Sequence, residues 1–287
     1  LCDECGVTAN DAVRRDLLHW FNNLGVSFCY QDSARLEDFV VLRPEWVTNA
    51  IYAIVWNAQR DASNGVISHS HIYRLLRTAQ DREARVITAI TYRIEEIDYI
   101  LQVMRKFRLS FRIDDETEFI PMLCQQDSTV DIAKLEQDNH ILEFRMEFEY
   151  LPDNLLHRLM VERHGELDMD KVWRKGAKFH LSELGLTAVV VIDGGVLRFF
   201  IQHTDPMHRP NTYLAMLKAN VDRIVEKMGI KAPVCKLIYK LDGKRDEFDY
   251  EELKMLREIG QQVALAKSHR RMIPIVDILN QSAPEGM

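Results

Sequence analysis

The 287-residue chain is poor in the features that mark whole classes of protein. It has five cysteines, an odd number scattered as Cys2, Cys5, Cys29, Cys124 and Cys235, so a disulfide framework is excluded and a reducing, cytoplasmic setting is expected. Cys2 and Cys5 form a C-x-x-C, but no second Cys/His pair follows at zinc spacing. No apolar run approaches the ~18 residues of a membrane span, and the longest, Ala188 to Ile192, is strand-sized. Neither sign of charge dominates. Lys plus Arg is 37 and Asp plus Glu 44, a net charge of −7, which disfavours a dedicated nucleic-acid binder. There is no initiator Met and no signal peptide, so the chain reads as a piece of a longer protein. What is present is globular: 47% hydrophobic and 28% charged residues.

Motifs for catalysis are equally scarce. No G-x-x-x-x-G-K-S/T phosphate loop and no G-x-G-x-x-G after a strand occurs; Gly194-Gly195 is explained by a hairpin turn. His69 and His71 sit two apart at a helix start, where they do not share a face. Asp168 and Asp170 have the spacing of a calcium loop without its Gly and distal Glu, and read as a polar loop. No G-x-S-x-G appears, His157 and His164 stand seven residues apart, and Glu95-Glu96 and Glu251-Glu252 read as solvated pairs.

The patterning divides the chain near residue 125. Before it, helical periodicity dominates. Asn10-Asp11 caps a helix with Val13, Leu17, Trp20/Phe21 and Leu24 inward, stopped at Gly25, and Val26 to Tyr30 is a short strand. Pro44 opens a helix that turns Trp46, Val47, Ala50, Ile51, Ile54 and Val55 inward. Asn64-Gly65 is a turn, Val66-Ile67 a strand stub, and Ser68 caps a helix carrying Ile72, Leu75 and Leu76. A helix over 94–107 precedes a hairpin at 109–120 with an acidic turn at Asp114-Asp115-Glu116. This order predicts a mainly helical, winged-helix-like N-terminal subdomain. Such a fold leaves nucleic-acid binding as the alternative function, through Arg82, Arg85, Arg105, Lys106 and Arg108, although these alternate with acids.

Residues 125–139 are polar and read as a linker. Beyond them, Leu142, Phe144, Met146, Phe148 and Tyr150 alternate with Glu143, Arg145, Glu147 and Glu149, predicting an antiparallel sheet with one wet face. Helices are predicted from Pro152, from Asn211 to Gly229 and from Asp249 to Ile259. Strands are predicted at 172–181, 187–192, 196–202 and 234–241, with turns at Asp193-Gly194-Gly195 and Asp242-Gly243. The tail from Met272 is apolar and interrupted by Pro274. The fold class is α+β, with an antiparallel-sheet-plus-helices C-terminal subdomain over 140–287.

Six segments in order resemble the COR (C-terminal of Roc) domain of Roco proteins. They are Trp20 to Asp32, Val41 to Val47 with its x-P-x-W, Asn64 to Ser68, Phe107 to Pro121, Tyr150-Leu151-Pro152 with Arg158-Leu159, and Trp173-Arg174-Lys175-Gly176. The resemblance implies a non-catalytic regulatory module, adjoining a Ras-like Roc GTPase and often leucine-rich repeats. Its first half, 1–124, would face the GTPase through Phe28, Tyr30, Val40, Leu42, Pro44 and Trp46. Its second half would hold a homodimer. GTP or GDP and Mg would belong to the GTPase domain. Neither nucleic acid nor membrane insertion is implied.

Overall fold

The computed structural model describes residues 20, 28–29, 40–41, 43–60, 62–77, 91–203 and 209–281. The chain forms two compact units, Leu1–Leu123 and Cys124–Met287. The predicted helix after Asn10-Asp11, apart from Trp20, lies outside the described residues, as do Cys2, Cys5, Arg82 and Arg85.

In the first unit, β1 (Phe28–Cys29) pairs antiparallel with β2 (Val40–Val41) and leads to α1 (Pro44–Asn57). Pro44 stands in the first turn, where a missing N–H costs nothing, and Arg43 before it is extended. β3 (Val66–Ser68) follows the Asn64-Gly65 turn, and α2 (His69–Arg77) starts where the Ser68 hydroxyl accepts from the His71 N–H at 3.2 Å. α3 (Ile94–Lys106) is capped by Glu96, whose carboxylate accepts from the Arg93 N–H at 2.7 Å and from the Arg93 guanidinium at 2.9 and 3.1 Å. Glu96 therefore has a specific task beyond solvation. β4 (Phe111–Arg112) and β5 (Thr117–Phe119) complete an antiparallel sheet of order β3-β5-β4. Ala50, Ile54, Ile72, Leu76, Ile97, Leu101 and Met104 interlock beneath it. The arrangement has the helix and sheet order of a winged helix.

The second unit is built on a seven-stranded antiparallel sheet. Its strands are β6 (Leu142–Glu147), β7 (Leu167–Trp173), β8 (Gly176–Leu181), β9 (Leu186–Asp193), β10 (Val196–His203), β11 (Val234–Leu241) and β12 (Lys244–Asp249). They lie in the order β12-β11-β6-β10-β9-β8-β7. Phe144, Phe199, Val190, Phe179 and Leu237 share one face by register and are fully buried. The helix α6 (Pro210–Lys227) packs across β6, β9 and β10 and against α5 (Asn154–Glu162). α7 (Tyr250–Glu258) packs on β11 and β12, its first turn capped by Asp249. The hairpin of β13 (Val263–Ala266) and β14 (Arg271–Pro274) precedes α8 (Ile275–Asn280).

Several expectations change. The single strand read over 172–181 is two strands, β7 and β8, joined by a turn at Arg174-Lys175. Asp168 and Asp170 lie within β7 and not in a loop. Asn211 lies in the first turn of α6, which opens at Pro210 after the extended Arg209. The polar stretch 125–139 contains a short helix, α4 (Ile132–Gln137), capped by Asp131. The charged face of β6 is not wet along its length: Glu143 has no exposure at all.

Candidate regulatory surfaces

Of the residues read from the sequence as GTPase-facing, Phe28 lies in β1, Val40 in β2, and Pro44 and Trp46 in the first turn of α1. The register Phe28↔Val41 and Cys29↔Val40 makes a ribbon that delivers the chain to Pro44. Tyr30 and Leu42 lie outside the described residues. Trp46, read both as an inward residue of its helix and as part of the GTPase-facing set, is half-buried. Its indole lies 5.1 Å from the Tyr92 ring and 6.4 Å from the Tyr99 ring, centroid to centroid, and packs on both the helical core and the cluster Val41, Val47, Tyr99 and Val103. The Tyr92 hydroxyl donates to the Trp46 carbonyl at 2.9 Å, and burial pushes that phenol up to about 12. Two other aromatics of α1, Tyr52 and Trp56, are the exposed ones at 64% and 44%. They stand four apart on the helix side opposite Val47, Ala50 and Ile54. That spacing was visible in the sequence, where both fall outside the inward stripe.

The basic cluster near α3 is partly spoken for. Glu118 on β5 is fully buried and accepts from Arg105 Nε at 2.9 Å and Nη2 at 2.5 Å. The Ser110 hydroxyl donates to it at 2.7 Å, and His69 Nε2 lies 3.2 Å away. A buried carboxylate so bonded is satisfied, and Arg105 is committed to it. This accounts for His69 as well, whose ring serves the fold of the hairpin.

The second unit holds a larger ionic cluster on the sheet face away from α6. Glu143 accepts from Arg145 Nη2 and Arg198 Nη2, each at 2.8 Å, and from Arg145 Nε at 2.9 Å. Lys240 Nζ lies 3.2 Å from its other oxygen. Burial alone would raise the Glu143 carboxyl, but the Arg198 and Arg145 hydrogen bonds and the Lys240 charge hold it below the usual carboxylate range. Burial also lowers Lys240, an effect that Glu143 offsets in part. Phe200 carries the two cations over its ring, Arg198 at 4.9 Å and Lys240 at 5.9 Å from the centroid.

What covers this cluster is the opening stretch of the second unit, 125–139. Arg174 N–H donates to the Gln125 carbonyl at 2.7 Å, and Arg198 Nη1 pairs with Glu136 at 2.6 Å. Lys240 Nζ reaches the carbonyls of Leu135 and Asp138, and Arg245 that of Glu136. Val130, Ile132 and Leu135 pack on Ile141, Trp173, Val189, Val191 and Phe200. Gln281, just after α8, closes the other side: its amide nitrogen donates to the carbonyls of Lys240 and Asn139, and its amide oxygen accepts from the Lys240 N–H. The stretch 125–139 is therefore a strap pinned to the sheet.

The remaining candidates separate. His157 Nε2 faces the Arg174 carbonyl and His164 Nδ1 the Val161 carbonyl, each at 3.0 Å, so the two rings serve different anchors. Asp168 lies 3.7 Å from Lys178. Cys124 and Cys235 are buried thiols pushed up to about 12 and about 11 by desolvation, the opposite of an activated nucleophile. Among the described residues no group of three or more His, Cys, Asp or Glu is placed to hold a metal ion, and no helix is long and apolar enough to cross a membrane.

Comparison with known proteins accounts for both units. Residues 1–124 match the C-terminal of Roc, COR-A domain, and residues 139–281 the C-terminal of Roc, COR-B domain. Together these matches cover nearly the whole chain, which belongs to the COR family of Roco proteins. Two curated relatives are similar: a Roc-COR-CHAT protease from an unknown prokaryotic organism, 22% identical over 181 residues, and the probable serine/threonine-protein kinase pats1 of Dictyostelium discoideum, 22% identical over 185. The matches cover 61% and 60% of this chain but 16% and 5% of those much longer proteins. Among solved structures, Methanosarcina barkeri Roco2 RocCORdC bound to GDP is similar at 28% identity, covering 40% of this chain and 33% of that one, with a TM-score of 0.34.

Proposed function

We propose that this chain is a non-catalytic cytoplasmic module that couples the nucleotide state of a Roc GTPase domain to the association of two copies. The observation that carries the reading is the pairing of a COR-A with a COR-B domain in one chain, joined by a strap anchored to the COR-B sheet. The GTPase-facing surface comprises the ribbon of Phe28 and Val40, the neighbouring Tyr30 and Leu42, and Pro44 with Trp46. The exposed Tyr52 and Trp56 extend it. Trp46 acts by shaping this surface from beneath, since its ring packs inward. The COR-B half, 140–287, supplies the contact between copies. Guanine nucleotide and Mg belong to the GTPase domain, and the chain has no phosphate loop of its own.

Two measurements test this. Light scattering on the chain over a range of concentrations should show reversible dimerisation. A Roc domain added in trans should bind with an affinity that changes between GDP and a non-hydrolysable GTP analogue by roughly 5–150-fold, the usual scale of coupling. A strict monomer at high micromolar concentration, together with nucleotide-independent binding, would overturn the reading.

A further inference from the structure

Between the strap and the sheet lies a cavity of about 270 Å³. Its inner lining is apolar: Val130 and Leu135 from the strap, and Ile141, Val189 and Phe200 from the sheet side. The rest of the lining is polar, with Lys171, Lys178, Thr187 and Gln202 from the strands and Thr129 from the strap. The volume falls just under the ~300–1,000 Å³ of pockets for drug-sized ligands, so the guest it suits is small.

Charge defines the guest further. β7 and β8 are neighbouring strands, and each contributes a lysine, Lys171 and Lys178, to the lining of the one cavity. Like charges on adjacent strands repel, and more so beside an apolar wall. Among the described residues one carboxylate answers them: Asp168 lies 3.7 Å from Lys178, a loose pairing. Lys171 has no carboxylate partner among the described residues. The Thr129 hydroxyl is shielded from solvent and has no hydrogen-bond partner, an unmet need in the cavity lining.

We infer that the cavity under the strap binds a small amphipathic anion, its acidic headgroup at Lys171 and Lys178 and its short alkyl or aryl tail against Phe200, Val189 and Ile141. An occupant touches strap and sheet at once, so its binding also tightens the strap. This is a property of the second unit alone and does not depend on a GTPase partner.

Calorimetric titration of the full chain tests it with four probes that share an octyl tail: nonanoate, octyl phosphate, octan-1-ol and octylammonium. Both anions should bind saturably at one site, the alcohol about tenfold more weakly, as loss of a charged hydrogen-bond partner dictates, and the cation not at all. The ratio of the two anions distinguishes a carboxylate guest from a phosphate one. K171Q/K178Q should cost the anions about tenfold while leaving the alcohol and the melting temperature unchanged. The single K171Q, at an exposed side chain, guards against a folding defect in the double variant. T187L, which narrows the cavity, should weaken anions and alcohol together. No saturable binding of either anion, equal affinity for anion and cation, or indifference to these variants overturns the inference.

Discussion

Gly176 shows how much a single missing side chain can hold. It pairs across the β7–β8 turn with Trp173, and a Cβ built on it would overlap three atoms of the buried indole. The W-R-x-G run is thus a packing device: glycine leaves the space the ring fills. Gly176→Ala should destabilise the second unit by about 1–3 kcal/mol, the usual scale of overpacking, read as a lower denaturation midpoint. Trp46→Ala should cost the first unit roughly 2–4 kcal/mol, since its half-buried ring bridges two clusters; urea unfolding followed at Tyr fluorescence would report it. Glu143 makes stability depend on pH. Its folded carboxyl is held below the unfolded value of ~4.3, so its contribution is complete above that value and is lost as pH falls through the lower, folded one. Asp246 acts with the same sign, its burial outweighed by bonds from Ser268 and His269. Urea midpoints should therefore drop between neutral and strongly acid pH, and Glu143→Gln should flatten that slope while lowering stability at pH 7. An unchanged slope would remove Glu143 from the account.

At the scale of elements, the strap offers the clearest experiment. None of the residues of α4 is buried, so its hold comes from partners on the sheet. Glu136→Ala removes a part-exposed ion pair and should cost at most about 1 kcal/mol globally. Amide hydrogen exchange over 130–140 should nevertheless quicken, whereas exchange in β9 and β10 should not; uniform change would mean that the strap and sheet open as one. The strap also marks where sequence reading stops. Elements with local punctuation were legible: Pro44 opening α1, Ser68 and Asp249 capping α2 and α7, and Asp193-Gly194-Gly195 turning β9 into β10. β12 was not, because Lys-Arg-Asp-Glu-Phe-Asp shows no apolar face. The β7–β8 turn carries no Asn-Gly or Asp-Gly signal, so two strands read as one. The burial of Glu143 depends on Lys240, Arg198 and Gln281, all distant in sequence. Alternation gave its face correctly but could not show that a strap covers it. On α1 the helical stripe already placed Trp46 inward and left Tyr52 and Trp56 outside it, as the packing has it.

On the scale of the whole molecule, α+β architecture and membership of the COR family agree with a chain whose charges alternate in sign. The nucleic-acid alternative loses Arg105 to Glu118, and a gel shift with duplex DNA at low salt should show no complex. The order of the large sheet has one more consequence. Its two outermost strands are β12 and β7. β12 carries Lys244, Arg245, Asp246 and Glu247 in succession, and β7 carries Asp168, Asp170 and Lys171 beside a register shift between Leu167 and Val172. Charge and a break in the ladder at the rims guard against strand addition. These rims disfavour the merging of two copies' sheets into one continuous ribbon of fourteen strands. A union of copies through side chains on faces and helices, as proposed above, would be made and undone without unzipping a backbone ladder.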